Sequence, residues 1–179
     1  MRSSTSGHWA WFDTAFGRCA LAWDVHGLTG VRLPGRDDAA TARGWPADRM
    51  AQAQPPFAAA AVQAMQAHLA GQAHDLRDVP LAMDTVAPFG RMVYDAARAL
   101  DPGQTCTYGE LARRIGQPSA ARAVGAALGA NPWPIVIPCH RVLAAGGGLG
   151  GFSAPGGTDT KRALLLLERT MGRREDELF

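Results

Sequence analysis

The chain has 179 residues, of which 47% are hydrophobic and 19% are charged, and its formal net charge is +2. These values are ordinary for a globular protein of one domain or two small ones, and they neither require nor exclude a nucleic-acid partner. Three cysteines without a CxxC pair argue against a disulfide framework or a cysteine-rich zinc site. We also expect no metal and no cofactor. A polar N-terminus and the lack of a long apolar run predict a soluble, cytoplasmic protein with no membrane contact.

The first third of the chain has the pattern of a small β-rich unit. Three short apolar and aromatic segments separated by glycine turns predict three strands, at 8–13, 18–23 and 28–33. Residues 36–54 are polar and contain proline, so we expect a loop there. Two prolines then open an alanine-rich helix over 57–70, and a further strand is predicted over 79–83.

The second half is predicted to be mainly helical. Apolar spacing indicates a helix over 89–100, and the Thr107…Glu110 capping box begins a short helix that ends before Gly116. A second helix over 119–129 follows a tight turn, which is the pattern of a helix-turn-helix. Four successive leucines in a last helix, 159–169, predict burial on most faces. We divide the chain into domains at 1–84 and 85–170, with an expected disordered tail at 171–179.

The most informative segment is Pro138-Cys139-His140-Arg141-Val142, which places a thiol beside an imidazole. An apolar run precedes it and a glycine-rich loop follows it. A cysteine is a useful nucleophile only as its thiolate, and a nearby base is the usual way to make one at neutral pH. A bare Cys-His pair is equally compatible with a small buried cysteine and an ordinary histidine.

The second predicted helix carries one long side chain, Arg122, among alanine, glycine and valine. Small side chains let a helix approach a partner closely, although a tightly packed core helix with an incidental surface arginine has the same pattern. A major-groove reader would need several base-contacting side chains, and these are missing. If this helix binds DNA, it fits by shape and backbone contact, with Arg122 inserted as a wedge.

Three ordered motifs in the second half are Thr-Tyr-Gly-Glu-Leu-Ala at 107–112, Ala-Ala-Arg-Ala-Val-Gly at 120–125, and Asn131-Pro132 followed by 134–142. With these motifs, residues 89–168 resemble the O6-alkylguanine-DNA alkyltransferases, or methylated-DNA–protein-cysteine methyltransferases. The resemblance implies an α+β fold, with a small ribonuclease-H-like antiparallel sheet and helix in the N-terminal domain. It also implies a mainly helical, winged-helix-like C-terminal domain that contains the helix-turn-helix.

The resemblance also implies catalytic roles. Cys139 would accept the alkyl group from guanine O6, and His140 would generate the thiolate through a bridging water. Glu168 would hold the imidazole in the right tautomer. Tyr108 would donate a proton to guanine N3 and press on the nucleotide's phosphate. Asn131 would tie the helix-turn-helix to the cysteine loop.

Further residues would contact the DNA or the flipped base. Arg122 would fill the space that the flipped nucleotide leaves, and Gln117 matches a position that contacts the DNA backbone. Phe152 stands where many members have tyrosine, so a ring is kept and a hydroxyl is lost. The expected alkylguanine pocket comprises Trp133, Pro134, Val142, Gly150, Phe152 and Ser153.

These roles predict a monomeric DNA repair protein that acts once on double-stranded DNA containing O6-alkylguanine. A base inside the stack must be flipped before a protein thiolate can reach it. The main alternative is an alkyltransferase-like damage sensor that binds the flipped base without chemistry, against which the presence of Cys139 argues. A helix-turn-helix regulator and a cysteine hydrolase are further alternatives. The first lacks base-reading side chains, and the second would need an oxyanion site.

Overall fold

The computed structural model describes residues 7–171. Its first element is a three-stranded antiparallel sheet. Its strand order is β1-β2-β3. The strands are β1 (His8–Thr14), β2 (Gly17–Asp24) and β3 (Gly27–Arg32). Glycine is needed at both turns, because Gly17 and Gly27 have φ values of +113° and +144°. The three predicted strands are confirmed. The expected disordered tail, apart from Met171, lies outside the described residues.

The segment between the sheet and the second half differs from the prediction in two places, the expected loop at 36–54 and the expected strand at 79–83. The expected loop contains a short helix and a 3-10 turn before the predicted long helix: α1 (Asp38–Thr41), Ala47–Arg49 and α2 (Pro56–Leu69). The strand predicted over 79–83 is wrong, because only Leu81 bridges to Leu28 of β3. Pro80 accepts a hydrogen bond through its carbonyl but has no amide to donate, so the ladder does not extend.

The second half is mainly helical, as predicted, and the α+β class is confirmed. Its helices are α3 (Pro88–Arg98), α4 (Tyr108–Arg114), α5 (Ala121–Gly129) and α6 (Gly157–Met171). The capping box is present, since the Thr107 hydroxyl accepts from the Glu110 amide and the Glu110 carboxylate accepts from the Thr107 amide. The sequence did not reveal the parallel pairing of β4 (Cys106–Thr107) with β5 (Val142–Leu143), because two-residue strands are too short to show a period.

The prediction that α6 is buried on most faces is wrong. Only Leu164 of the four leucines is fully buried, and Leu166 is 54% exposed. The buried face consists instead of Lys161, Leu164 and Glu168, at the spacing of one helical stripe. Two of its three members are charged, so this helix brings polar side chains into the interior.

One contiguous hydrophobic core takes side chains from both halves of the chain. Trp133 connects them, because its indole N–H donates to the carbonyl oxygen of Leu28 at 2.7 Å and its ring meets Tyr94 edge-on. The proposed division into domains at residue 84 therefore stays a prediction. Among residues 7–171, no helix is both long and apolar enough to cross a membrane.

Replacing Trp133 with phenylalanine should lower the free energy of unfolding by about 1–3 kcal/mol, because a buried hydrogen bond and packing volume are lost. Urea unfolding measures this change. Trp11→Phe is the matched control, since Trp11 is half-buried and its indole makes no hydrogen bond within the described structure. Equal losses in the two variants would contradict the bridging role of Trp133.

Candidate active site

The cysteine loop is held by Asn131, at the end of α5. The Asn131 side-chain amide donates to the Ile137 carbonyl at 3.0 Å and to Cys139 Sγ at 3.4 Å, while its oxygen accepts from the Trp133 amide at 2.9 Å. Ile135, within this loop, is the one non-glycine residue among those described with a positive φ, +74°, which is a strained conformation. Asn131, which follows α5, thus contacts both the cysteine loop and the thiol, and the role that the resemblance implies for it stays a prediction.

Cys139 begins a 3-10 turn, Cys139–Arg141, and is 7% exposed. Burial raises the pKa of its thiol, while the hydrogen bond from Asn131, the charge of Lys161 and the nearby backbone amides act in the opposite direction. Because the net shift is upward, the resting group is a thiol at neutral pH. A base is therefore required to form the thiolate.

His140, the next residue in the chain, is the candidate for that base, and it is completely buried. Burial lowers the pKa of His140, more than its contact with Glu168 raises it, so the imidazole is neutral at pH 7. Its Nε2 lies 2.8 Å from Glu168 Oε1. An ionised carboxylate only accepts hydrogen bonds, so Nε2 carries the proton and Nδ1 keeps a free lone pair. Within the described structure, that Nδ1 has no hydrogen-bond partner.

Glu168 is 1% exposed yet ionised. Burial would raise the pKa of its carboxyl, but hydrogen bonds from His140, His68 and Arg141 outweigh burial and hold the pKa well below its usual range. Arg141 binds in the bidentate manner, with Nε at 2.9 Å from Oε2 and Nη2 at 2.8 Å from Oε1. The Gly103 amide donates to Oε2 at 3.1 Å. The orienting contact predicted for Glu168 is thus present.

Sequence reasoning missed three polar residues of this site. Arg141 was used only as part of a motif, and His68 lies on α2, far from any recognised pattern. Lys161 is the one lysine of the chain, which was a usable signal. It is fully buried, and its ammonium donates to the carbonyl oxygens of Val142 at 2.7 Å and Gly151 at 3.2 Å.

Tyr108, the first residue of α4, lies half-buried between two glycines. A Cβ on Gly125 of α5 would be 3.8 Å from its ring, and a Cβ on Gly150 would be 3.1 Å from both Cε2 and the hydroxyl oxygen. Gly150 also has a φ of +68°, so a larger residue would be strained there twice over. Burial raises the pKa of Tyr108, which therefore keeps its phenolic proton at neutral pH.

Two cavities of about 360 and 440 Å³ meet at Cys139. Phe152 and Ser153 line both. The smaller cavity extends past Asn131 and Pro134 to β3, and the larger one reaches Tyr108. A buried cysteine that lines two open cavities is accessible to a ligand that enters either of them.

The predicted pocket residues do not all lie on these cavities. Pro134, Phe152 and Ser153 do, but Trp133, Val142 and Gly150 are absent from the lining within the described structure. The Trp133 indole is directed toward Leu28. Val142 is fully buried, and Gly150 borders the Tyr108 ring. These last three residues therefore pack next to the site without lining either cavity.

Of the three residues predicted to contact DNA, Tyr108 is half-buried, and the other two, Arg122 and Gln117, lie on the surface. Arg122 is exposed on α5, whose buried face is Val124 and Leu128. Gln117 is exposed in the turn between α4 and α5, where its backbone amide donates to the Ala112 carbonyl at 2.9 Å. Arg122 thus lies at the start of α5, and the cysteine loop follows the end of the same helix.

The expectation that the protein binds no metal stays a prediction. No group of three His, Cys, Asp or Glu side chains suited to a metal ion occurs among residues 7–171. Cys19, the cysteine in β2, is completely buried, and burial raises its pKa to about 11. Such a thiol is a poor ligand at neutral pH, because metals bind the thiolate.

Comparisons with known proteins agree with the motifs. Residues 88–170 match the family description "6-O-methylguanine DNA methyltransferase, DNA binding domain". The methylated-DNA–protein-cysteine methyltransferase of Mycolicibacterium paratuberculosis is 39% identical over 157 residues, covering 88% of this chain and 89% of that protein. The corresponding protein of Salmonella typhimurium is 54% identical over 78 residues, 44% of each chain.

Solved structures extend the similarity to nearly the whole chain. The O6-methylguanine methyltransferase of Mycobacterium tuberculosis superposes with a TM-score of 0.75 at 35% identity, covering 97% of this chain and 99% of that one. Mycobacterium tuberculosis OGT in complex with DNA has a TM-score of 0.73 at 34% identity, covering 96% and 99%. With motifs, fold and relatives in agreement over nearly its full length, this chain belongs to the methylated-DNA–protein-cysteine methyltransferase family.

Proposed function

We propose that this protein repairs double-stranded DNA by transferring the alkyl group of O6-alkylguanine irreversibly to its own Cys139. One observation carries the proposal: Cys139 opens onto two cavities and adjoins a neutral, buried imidazole whose tautomer an ionised glutamate fixes. A nucleophile, a base and an orienting carboxylate are the parts that nucleophilic catalysis requires. We further propose that the protein acts as a monomer.

In the first step, the Cys139 proton moves through a bridging water to His140 Nδ1. The product is a thiolate and an imidazolium, and Glu168 stabilises the latter through the hydrogen bond at Nε2. Asn131 and Lys161 stabilise the thiolate, since both counteract the effect of burial on the thiol pKa. Burial therefore keeps the resting sulfur protonated while the base makes the reactive form accessible.

In the second step, the thiolate attacks the alkyl carbon attached to guanine O6. A carbon–sulfur bond forms while the carbon–oxygen bond breaks, and its electron pair passes to the guanine. Tyr108 offsets this charge by donating its proton to N3, and the tyrosinate regains a proton from the His140 imidazolium. The thioether has no easy route back to a thiol, so each molecule reacts once.

Access to the alkyl carbon requires base flipping, because the buried Cys139 cannot reach a base that stays stacked in the duplex. The small residues of α5 let its backbone approach the groove, and Arg122, exposed at the start of that helix, would occupy the space left by the base. Gln117 in the preceding turn would hold the DNA backbone. The flipped base would enter the cavity between Tyr108 and Phe152.

Incubation with a duplex that contains O6-methylguanine should increase the intact mass of the protein by about 14 Da, the gain expected for a covalent methyl acceptor. Peptide mapping should place the methyl group on Cys139, and Cys139→Ala should gain nothing. Mass spectrometry provides the measurement. Tight binding of the modified duplex with no change in mass would reject alkyl transfer and support the damage-sensor alternative.

Arg122→Ala should slow repair of duplex DNA by about tenfold or more, because nothing then fills the space of the flipped base. Its thiol should still react normally with iodoacetamide, since Arg122 does not contact Cys139. Single-turnover transfer rates and thiol labelling measure the two effects. Arg162→Ala, which removes an equal charge from the exposed face of α6, is the control, and an equal slowing there would contradict a specific role.

A further inference from the structure

His68 is a buried polar residue to which the proposed mechanism assigns no role. It lies on α2, is completely buried, and is 100 residues away from Glu168 in the chain. Its Nε2 is 3.0 Å from Glu168 Oε1, the same oxygen that His140 Nε2 contacts at 2.8 Å. The N-terminal part of the chain therefore has a polar contact with the carboxylate that orients the base.

The Glu168 carboxylate has more donors than a carboxylate can bind well. Three hydrogen bonds converge on Oε1, from His68, His140 and Arg141, and two more reach Oε2, from Arg141 and Gly103. Two carboxylate oxygens offer about four lone-pair sites, so about two are available on Oε1. The three donors on that oxygen must compete, and a stronger bond from one weakens the others.

The chemistry of Glu168 also fixes which nitrogen of His68 carries a proton. Because an ionised carboxylate only accepts, Nε2 of His68 must donate, and its Nδ1 has no partner within the described structure. The charged or titratable groups grouped around this contact are Glu168 of α6 with His140 and Arg141 of the 3-10 turn. His68 is thus tied to the site through the oxygen that it shares with the base.

We propose that His68 is a positioning residue that weakens the hold of Glu168 on His140, so that His140 Nδ1 stays unprotonated and ready to accept the Cys139 proton. The inference rests on the proposed function. Its direction agrees with the influences on the His140 pKa: burial lowers it most, Glu168 raises it, and Arg141 and His68 lower it further. Without His68, Oε1 would bind the imidazolium form of His140 more strongly.

Two substitutions separate the donor from the packing. His68→Phe keeps an aromatic ring in the core but removes the N–H, whereas His68→Gln supplies an amide N–H in a similar place. Losing a competing donor raises the pKa of His140, so inactivation by acid begins at a higher pH. In His68→Phe the acid midpoint for Cys139 labelling by iodoacetamide should rise by about 0.5–1 unit, and His68→Gln should restore the original midpoint.

Leu69→Ala is the control, because Leu69 is the adjacent buried residue of α2 and makes no polar contact with the site. It should lower the unfolding midpoint while leaving the acid midpoint of labelling unchanged. An unmoved midpoint in His68→Phe, an equal shift in Leu69→Ala, or no restoration in His68→Gln would each overturn the proposal. Affinity for an unmodified duplex should be the same in all three variants.

A measurement on the unaltered protein covers the case in which His68→Phe does not fold. Nitrogen-15 NMR of the histidine rings should show both His68 and His140 protonated at Nε2 at neutral pH, and an Nδ1–H tautomer for His68 would overturn the proposal. Thiol labelling and ring tautomers need no alkylated DNA. Failure of methyl transfer with the expected labelling shift would therefore reject the proposed function and leave the role of His68 in place.

Discussion

The buried Glu168 carboxylate is the interaction on which the site depends. It joins α6 to the 3-10 turn through His140 and Arg141, to α2 through His68, and to the turn before β4 through Gly103. A buried carboxylate is stable only when its charge is paired and its lone pairs are satisfied, and these contacts together supply both conditions. The elements that fix the base are therefore also elements that must pack correctly for the core to form.

The contacts of Glu168 join distant parts of the chain. For this reason the sequence predicted the fold class and the chemistry better than it predicted the polar residues around Glu168. The capping box at Thr107, the glycine turns and the Cys139-His140 pair are local patterns, and a short window of sequence contains each of them. The placement of His68 beside Glu168 is a contact between distant segments, which no period or spacing encodes. Local signals predict elements, whereas such contacts appear only once the elements are packed.

The errors have physical causes of the same kind. The leucines at 164–167 are successive, so a helix must spread them over several faces, and the stripe turned inward includes Lys161 and Glu168 instead. Hydrophobicity alone predicted a buried leucine run. Trp133, which lies between two prolines of the cysteine loop, stays a predicted pocket residue, and its N–H donates to a buried carbonyl at Leu28.

The raised pKa of Cys139 suits a nucleophile that can be used only once. A permanently ionised, exposed thiolate would be lost to oxidation and to small electrophiles, and susceptibility to both follows thiolate character and exposure. Burial keeps the sulfur protonated, and in the proposed mechanism the neutral His140 takes its proton where Cys139 lines the cavity. The groups that would ionise the thiol lie beside the cavity that the alkylated base would enter. Reactivity and recognition would therefore depend on the same buried groups.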